Sequence, residues 1–193
     1  MRALRAGITL FIVGLCALAA RPGTPAHADT VCRGVLAEAG TTVAETIIVP
    51  AGARCEAAGI EIAGTITVEP GAALTLNDAT VTGTITLASG ASLRAVELTL
   101  TGNIVATGAA LIDVEASTII GTIVANATLG AITFTTNMLT GGLTLAGGGG
   151  PVAIAANTIT GTVLVTWDDP TAVLYADNTL DGTAICNGAP CGS

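Results

Sequence analysis

Glycine recurs through this chain in two registers at once, and that regularity leaves few folds open. One series runs Gly64, Gly83, Gly102, Gly121, Gly141, Gly161 and Gly182, at spacings of 19, 19, 19, 20, 20 and 21. A second runs Gly52, Gly71, Gly90 and Gly108, at 19, 19 and 18. A fixed period near 20 residues is the signature of stacked coils. Around the first series the neighbours keep their character. Two positions before each glycine come Val81, Leu100, Ile119, Leu139, Ile159 and Leu180; two positions after come Ile66, Ile85, Ile104, Ile123, Leu143, Val163 and Ala184. Apolar residues two apart, with polar ones between, describe strands with one buried face. A third short strand follows the second glycine series, as in Gly71-Ala72-Ala73-Leu74-Thr75-Leu76. Each coil therefore carries about three short strands joined by corners, where glycine supplies backbone angles that other residues resist. Helix is disfavoured, because Thr, Val, Ile and Gly dominate and no apolar spacing of three to four is sustained. The expected fold is all-β: a single-domain right-handed parallel β-helix, or β-solenoid, of about seven coils of 19–21 residues.

The segments outside the repeats have their own signals. Arg2 and Arg5, an apolar run from Ala6 to Ala20 and the small-x-small site Ala26-His27-Ala28 predict a signal peptide over 1–28. The expected organisation continues with an N-terminal cap over 29–44, repeats over 45–185 and a C-terminal disulfide cap over 186–193. The apolar run is too short and wrongly flanked for a membrane span, so none is expected in the mature chain, which would be secreted or held in the cell envelope. Beyond residue 28 four cysteines remain: Cys32, Cys55, Cys186 and Cys191. In an exported chain these imply disulfides. Of three possible connectivities, Cys32–Cys55 and Cys186–Cys191 are expected, because the intervening repeats hold the two pairs apart.

Charge narrows the function. The chain has no lysine, its one histidine is His27, and residues beyond 28 carry three arginines against 14 acidic residues, a net charge of −11. Such a surface repels phosphate backbones, so nucleic acid is not an expected partner. No metal and no cofactor is expected, with no histidine and no CxxC beyond residue 28.

Asn137, Asn157 and Asn178 each lie four residues before a repeat glycine, with Ser117 at the same station. A repeated column of this kind predicts side chains hydrogen-bonded up and down a stack. The units Asn157-Thr158-Ile159-Thr160-Gly161-Thr162 and Asn178-Thr179-Leu180-Asp181-Gly182-Thr183 resemble repeats of right-handed parallel β-helix proteins, the architecture of pectate lyases. Val49-Pro50-Ala51-Gly52-Ala53-Arg54-Cys55 and Cys186-Asn187-Gly188-Ala189-Pro190 resemble a group of small exported actinobacterial β-helix proteins. The resemblance implies an architecture and no particular activity, since this fold carries lyases, hydrolases, adhesins and ice-binding proteins.

Enzymatic chemistry is not expected. A lyase of the pectate type needs an acidic calcium cluster and a basic residue, and the repeats hold only Arg54, beside Cys55, and Arg94. A glycosidase needs two converging carboxylates, and Asp113, Glu115, Asp168, Asp169, Asp177 and Asp181 form no such pattern. Thr166-Trp167-Asp168-Asp169-Pro170 is the one corner with candidate glycan or calcium ligands: Trp167 to stack on a sugar, Asp168 and Asp169 to hold Ca²⁺. The most regular exposed feature is threonine. Thr80, Thr82, Thr99, Thr101, Thr158 and Thr160 flank the inward residues and are expected to point outward. Thr-x-Thr arrays on β-solenoids resemble those of ice-binding proteins. The expected function is an exported, non-enzymatic structural or binding module whose partner is an envelope glycan or another protein; the alternatives are an ice- or crystalline-surface-binding protein using the threonines, or a polysaccharide-binding or polysaccharide-degrading protein.

Overall fold

A computed structural model describes residues 29–191. The expected signal peptide, with Cys16 and His27, and the last two residues of the expected C-terminal cap lie outside them. The chain folds as a parallel β-solenoid. One wall is an eight-stranded parallel sheet built from Gly34–Val35, Arg54–Ala58, Ala73–Asn77, Ser92–Val96, Leu111–Glu115, Ala131–Thr135, Val152–Ala155 and Val173–Ala176, one strand per coil. The other two walls hold the strands before and after the repeat glycines, for example Thr99–Thr101 and Ile104–Thr107. The solenoid thus has eight coils, one more than the glycine series predicts. The extra coil is the first, whose strands Thr30–Val31, Gly34–Val35 and Thr42–Val43 fall in the segment expected to be a cap. It escapes the count because Glu45 occupies the station where a repeat glycine would stand, beneath Gly64.

Pairing is in register throughout. Ile66, Ile85, Ile104, Ile123, Leu143 and Val163 stack directly, as do Val81, Leu100, Ile119, Leu139 and Ile159. All are buried, and with Leu74, Leu93, Ile112, Ile132 and Ile154 of the third wall they form one continuous core. Each buried Leu or Ile stabilises by about 1.5–3 kcal/mol through removal from water.

The corner between the third wall and the pre-glycine wall turns through a left-handed residue in every coil from the second on: Gly59, Asp78, Glu97, Ala116, Thr136, Ala156 and Asp177, with φ between 48° and 61°. The next residue points inward, and in the C-terminal half it forms the expected ladder. Asn157 Oδ1 accepts from the N–H and Nδ2 of Asn137 at 2.9 and 3.0 Å, and Asn157 Nδ2 donates to the Phe134 carbonyl at 2.9 Å. Asn178 repeats this pattern on Asn157, and Asn137 Oδ1 accepts from Ser117 N–H.

Both expected disulfides form. Cys32–Cys55 ties the first coil to the second, with Cα atoms 5.5 Å apart. Cys186–Cys191 closes a hairpin in which Ala189–Pro190 lies antiparallel on the end of Thr179–Cys186. Asn187-Gly188, a pair that favours the tightest hairpin turns, makes that turn with φ of 50° and 82°. Among the described residues no helix is long and apolar enough to cross a membrane.

Candidate functional site

The pre-glycine and post-glycine walls belong to a single 16-stranded sheet, because Thr158–Thr166 runs unbroken through Gly161. Alternation holds across the corner: Thr158, Thr160, Thr162 and Leu164 are exposed, while Ile159, Val163 and Val165 are buried. Gly161 occupies the inward station between them, where the backbone bends. Earlier coils repeat the arrangement, so the outward stations form rows such as Thr80, Thr82, Thr84, Thr86 and Thr99, Thr101, Asn103, Val105. Hydroxyls and methyls repeat at about 7 Å along a strand and about 4.8 Å between coils.

Thr80, Thr82, Thr99, Thr101, Thr158 and Thr160 are all exposed on this surface. Ile120 and Met138, 53% and 55% exposed, interrupt it near the middle with apolar side chains. From Thr65 to Leu180 its outward strand stations carry no charge; Glu61 stands at one end and Asp181 at the other. The charges of the repeat body lie instead on the third wall and at corners. Arg94 and Asp113 occupy neighbouring coils of the third wall, their Nε and Oδ2 3.7 Å apart. With 62% and 28% of the side chains exposed, that pair contributes about 0–1 kcal/mol.

Trp167 is 4% exposed, so it presents no free ring face for a sugar. Its Nε1 donates to the Gly150 carbonyl at 2.7 Å, and the ring lies against Gly148, where a Cβ would collide with it. The Gly147-Gly148-Gly149-Gly150 run and the tryptophan one coil later are two halves of one packing arrangement. A bulky residue followed one period back by consecutive glycines was the sequence signal for it. Asp168 Oδ2 accepts from Gly148 N–H at 3.2 Å. Asp169 Oδ1 accepts from the hydroxyl and N–H of Thr171 at 2.6 and 2.9 Å, starting the single 3₁₀ turn Pro170–Ala172. The Thr171 hydroxyl, and then its N–H, hold the Asp169 carboxyl below the usual carboxylate range. Among the described residues no three His, Cys, Asp or Glu side chains gather as a metal would require. No protein-family model matches the chain, and no curated protein or solved structure matches it.

Proposed function

We propose that this protein is an exported, non-enzymatic binding or structural module of the cell envelope or extracellular medium, and that its working surface is the threonine-rich double wall. One observation carries the reading. In a chain of net charge −8, outward strand stations spanning six coils are left uncharged and carry mostly threonine, with Val105, Ile120, Met138 and Leu164 among them. Charge is segregated to the opposite wall and the corners, as suits a surface that meets an extended neutral partner such as an envelope glycan. Two disulfides and the signal-like start support export. The same reading includes the right-handed winding and actinobacterial kinship suggested by the repeat units. Corners are short: no connection between Ile47 and Thr166 exceeds four residues, so no long loop walls a catalytic cleft there.

A second reading, binding to ice or another crystalline surface, is favoured by the unbroken row Thr80, Thr82, Thr84, Thr86 and by in-register stacking. Both readings meet in one experiment. A glycan array and a thermal-hysteresis assay are run on the exported protein and on Thr99→Lys and Thr101→Lys. The expected result is a wild-type signal in one assay, abolished by either lysine with the circular-dichroism spectrum unchanged. Wild-type binding that survives both lysines would place the working surface elsewhere. Absence of thermal hysteresis in the folded wild type removes the ice reading.

A further inference from the structure

The two ends of the solenoid are cut through the same columns, and they match. In the coils that precede the last, the left-handed residue donates its N–H to the coil that follows: Ala116 to Thr135, Thr136 to Ala155 and Ala156 to Ala176, at 3.1–3.2 Å. The next N–H donates to a side-chain oxygen of the following coil, as Asn157 does to Asn178 Oδ1 at 2.9 Å. Asp177 and Asn178 occupy these stations in the last coil, and among the described residues no coil follows them. The hairpin strand Ala189–Pro190 covers only the post-glycine wall. Val173–Ala176 and the start of Thr179–Cys186 remain edge strands, with free N–H and C=O groups. Between them the core is open: Tyr175, Leu180 and Ala184 are half-buried, and the Tyr175 hydroxyl is enclosed without a partner.

The first coil presents the complementary set. Continuing the observed register places Leu36 on the column of Tyr175, Val43 on that of Leu180 and Gly40 (φ 83°) on the left-handed station of Asp177. Thr41 falls on the asparagine station, where its hydroxyl oxygen is an acceptor for Asn178 N–H. Val35, 74% exposed, and Leu174, 55% exposed, stand on one outward column at opposite ends. Arg33 and Arg54 share the column of Ala172, three residues past Asp169. The last coil carries Asp168, Asp169, Asp177 and Asp181 and no basic residue.

We propose that the last coil of this protein docks the first coil of a second copy, head to tail, with the solenoid continuing in register across the junction. Tail-to-tail contact would oppose four aspartates to four, whereas the first coil carries Arg33 against Asp29 and Glu38, so head-to-tail contact is the less repulsive of the two and Arg33 is its one favourable charge. Glu38, in the loop beside Gly40, is the one acidic side chain of that loop that would face the Asp177 corner. A heterologous contact of this kind does not close, so it builds linear assemblies. Each end is a single coil in cross-section and its strands are short, so the contact falls below the roughly 1,000 Å² of a stable interface and is transient unless trapped.

Cross-linking supplies the trap. In-register residues on adjacent parallel strands lie within the about 7 Å Cα separation that a disulfide tolerates. Val35→Cys and Leu174→Cys are made separately; with Cys32–Cys55 and Cys186–Cys191 paired, the introduced thiols are the only free ones of the exported proteins. When the two exported proteins are mixed under mild oxidation, V35C–L174C heterodimers should exceed either homodimer by about tenfold, and Arg33→Glu should lower that yield. The double variant V35C/L174C should form a ladder of oligomers. Heterodimers no more abundant than homodimers, or no cross-linked species from proteins whose circular dichroism is native, would overturn the proposal.

Discussion

The solenoid turns at two kinds of corner, and they constrain sequence in opposite ways. At the repeat-glycine corner φ is positive, between 141° and 154° from Gly83 on, and no coil after the first substitutes another residue. At the left-handed corner φ is also positive, yet Asp, Glu, Ala and Thr occupy it and glycine appears only in the first two coils, at Gly40 and Gly59. Backbone angle alone does not account for the difference. From Gly83 on, each repeat glycine lies on the carbonyl of the glycine one coil earlier: a Cβ at Gly121 would collide with the Gly102 oxygen, and one at Gly161 with the Gly141 oxygen. The left-handed corner bends outward, and its side chains are exposed or, at Gly59, half-exposed. An L-residue there costs about 1–2 kcal/mol in conformation, and neighbouring contacts offset it. Close backbone stacking, more than the sign of φ, is what demands glycine.

Gly121→Ala is the strongest test of that distinction. Its methyl has no direction in which to relax, since backbone lies above and below. The expected cost is about 4 kcal/mol or more, read by urea denaturation. A loss near 1 kcal/mol would mean the coils can part, and would reduce the first corner to the second.

Asn157→Ala probes what offsets the left-handed strain. It removes the acceptor for the Asn137 N–H, which is left buried and unpaired, and one of the donors to the Phe134 carbonyl. A cost of about 2–3 kcal/mol is expected in the same assay. The equivalent stations of the N-terminal half, Ile60, Ala79 and Leu98, are apolar, so the left-handed corner tolerates a ladder-free neighbour there only because apolar packing replaces it. Leu98→Asn should therefore not stabilise, although Ser117 follows it in the column; a gain in denaturation midpoint would show that the ladder is simply incomplete.

The smallest effect has the opposite sign. Ala156→Gly relieves a residue held at φ 56° but adds freedom to the unfolded chain. The two nearly balance, and a stabilisation of up to about 1 kcal/mol is expected from the thermal midpoint. Destabilisation would show that the Ala156 side chain contributes packing at the corner.

Much of the architecture was legible in the sequence because stacking forces each residue over its counterpart. The period, the inward Ile and Leu columns, the Asn137–Asn157–Asn178 ladder and the segregation of cysteines into two pairs are all properties of one coil repeated. The first coil was not legible, since it lacks the repeat glycine, and Cys32 within it is fixed by a disulfide more than by pattern. In the sequence, Trp167 beside two aspartates fits either a ring free to stack on a sugar or a cover for the core edge. Its burial depends on Gly148 and Gly150 one coil earlier, a contact between coils that spacing along the chain does not display. The Asn187-Gly188 hairpin was available in the sequence as a turn signal, but its position on the open edge of the last coil was not.

The sequence by itself determined the coil, its inward and outward stations and the threonines on its surface, because in-register stacking converts a linear period directly into columns. Only the tertiary structure decided that the pre-glycine and post-glycine walls join into one uncharged sheet, that Trp167 is enclosed, and that the two ends expose matching stations. Those outcomes depend on how sharply each corner bends and on which coil lies next to which, and bend angle and neighbour contact are set by packing across coils that no single repeat encodes.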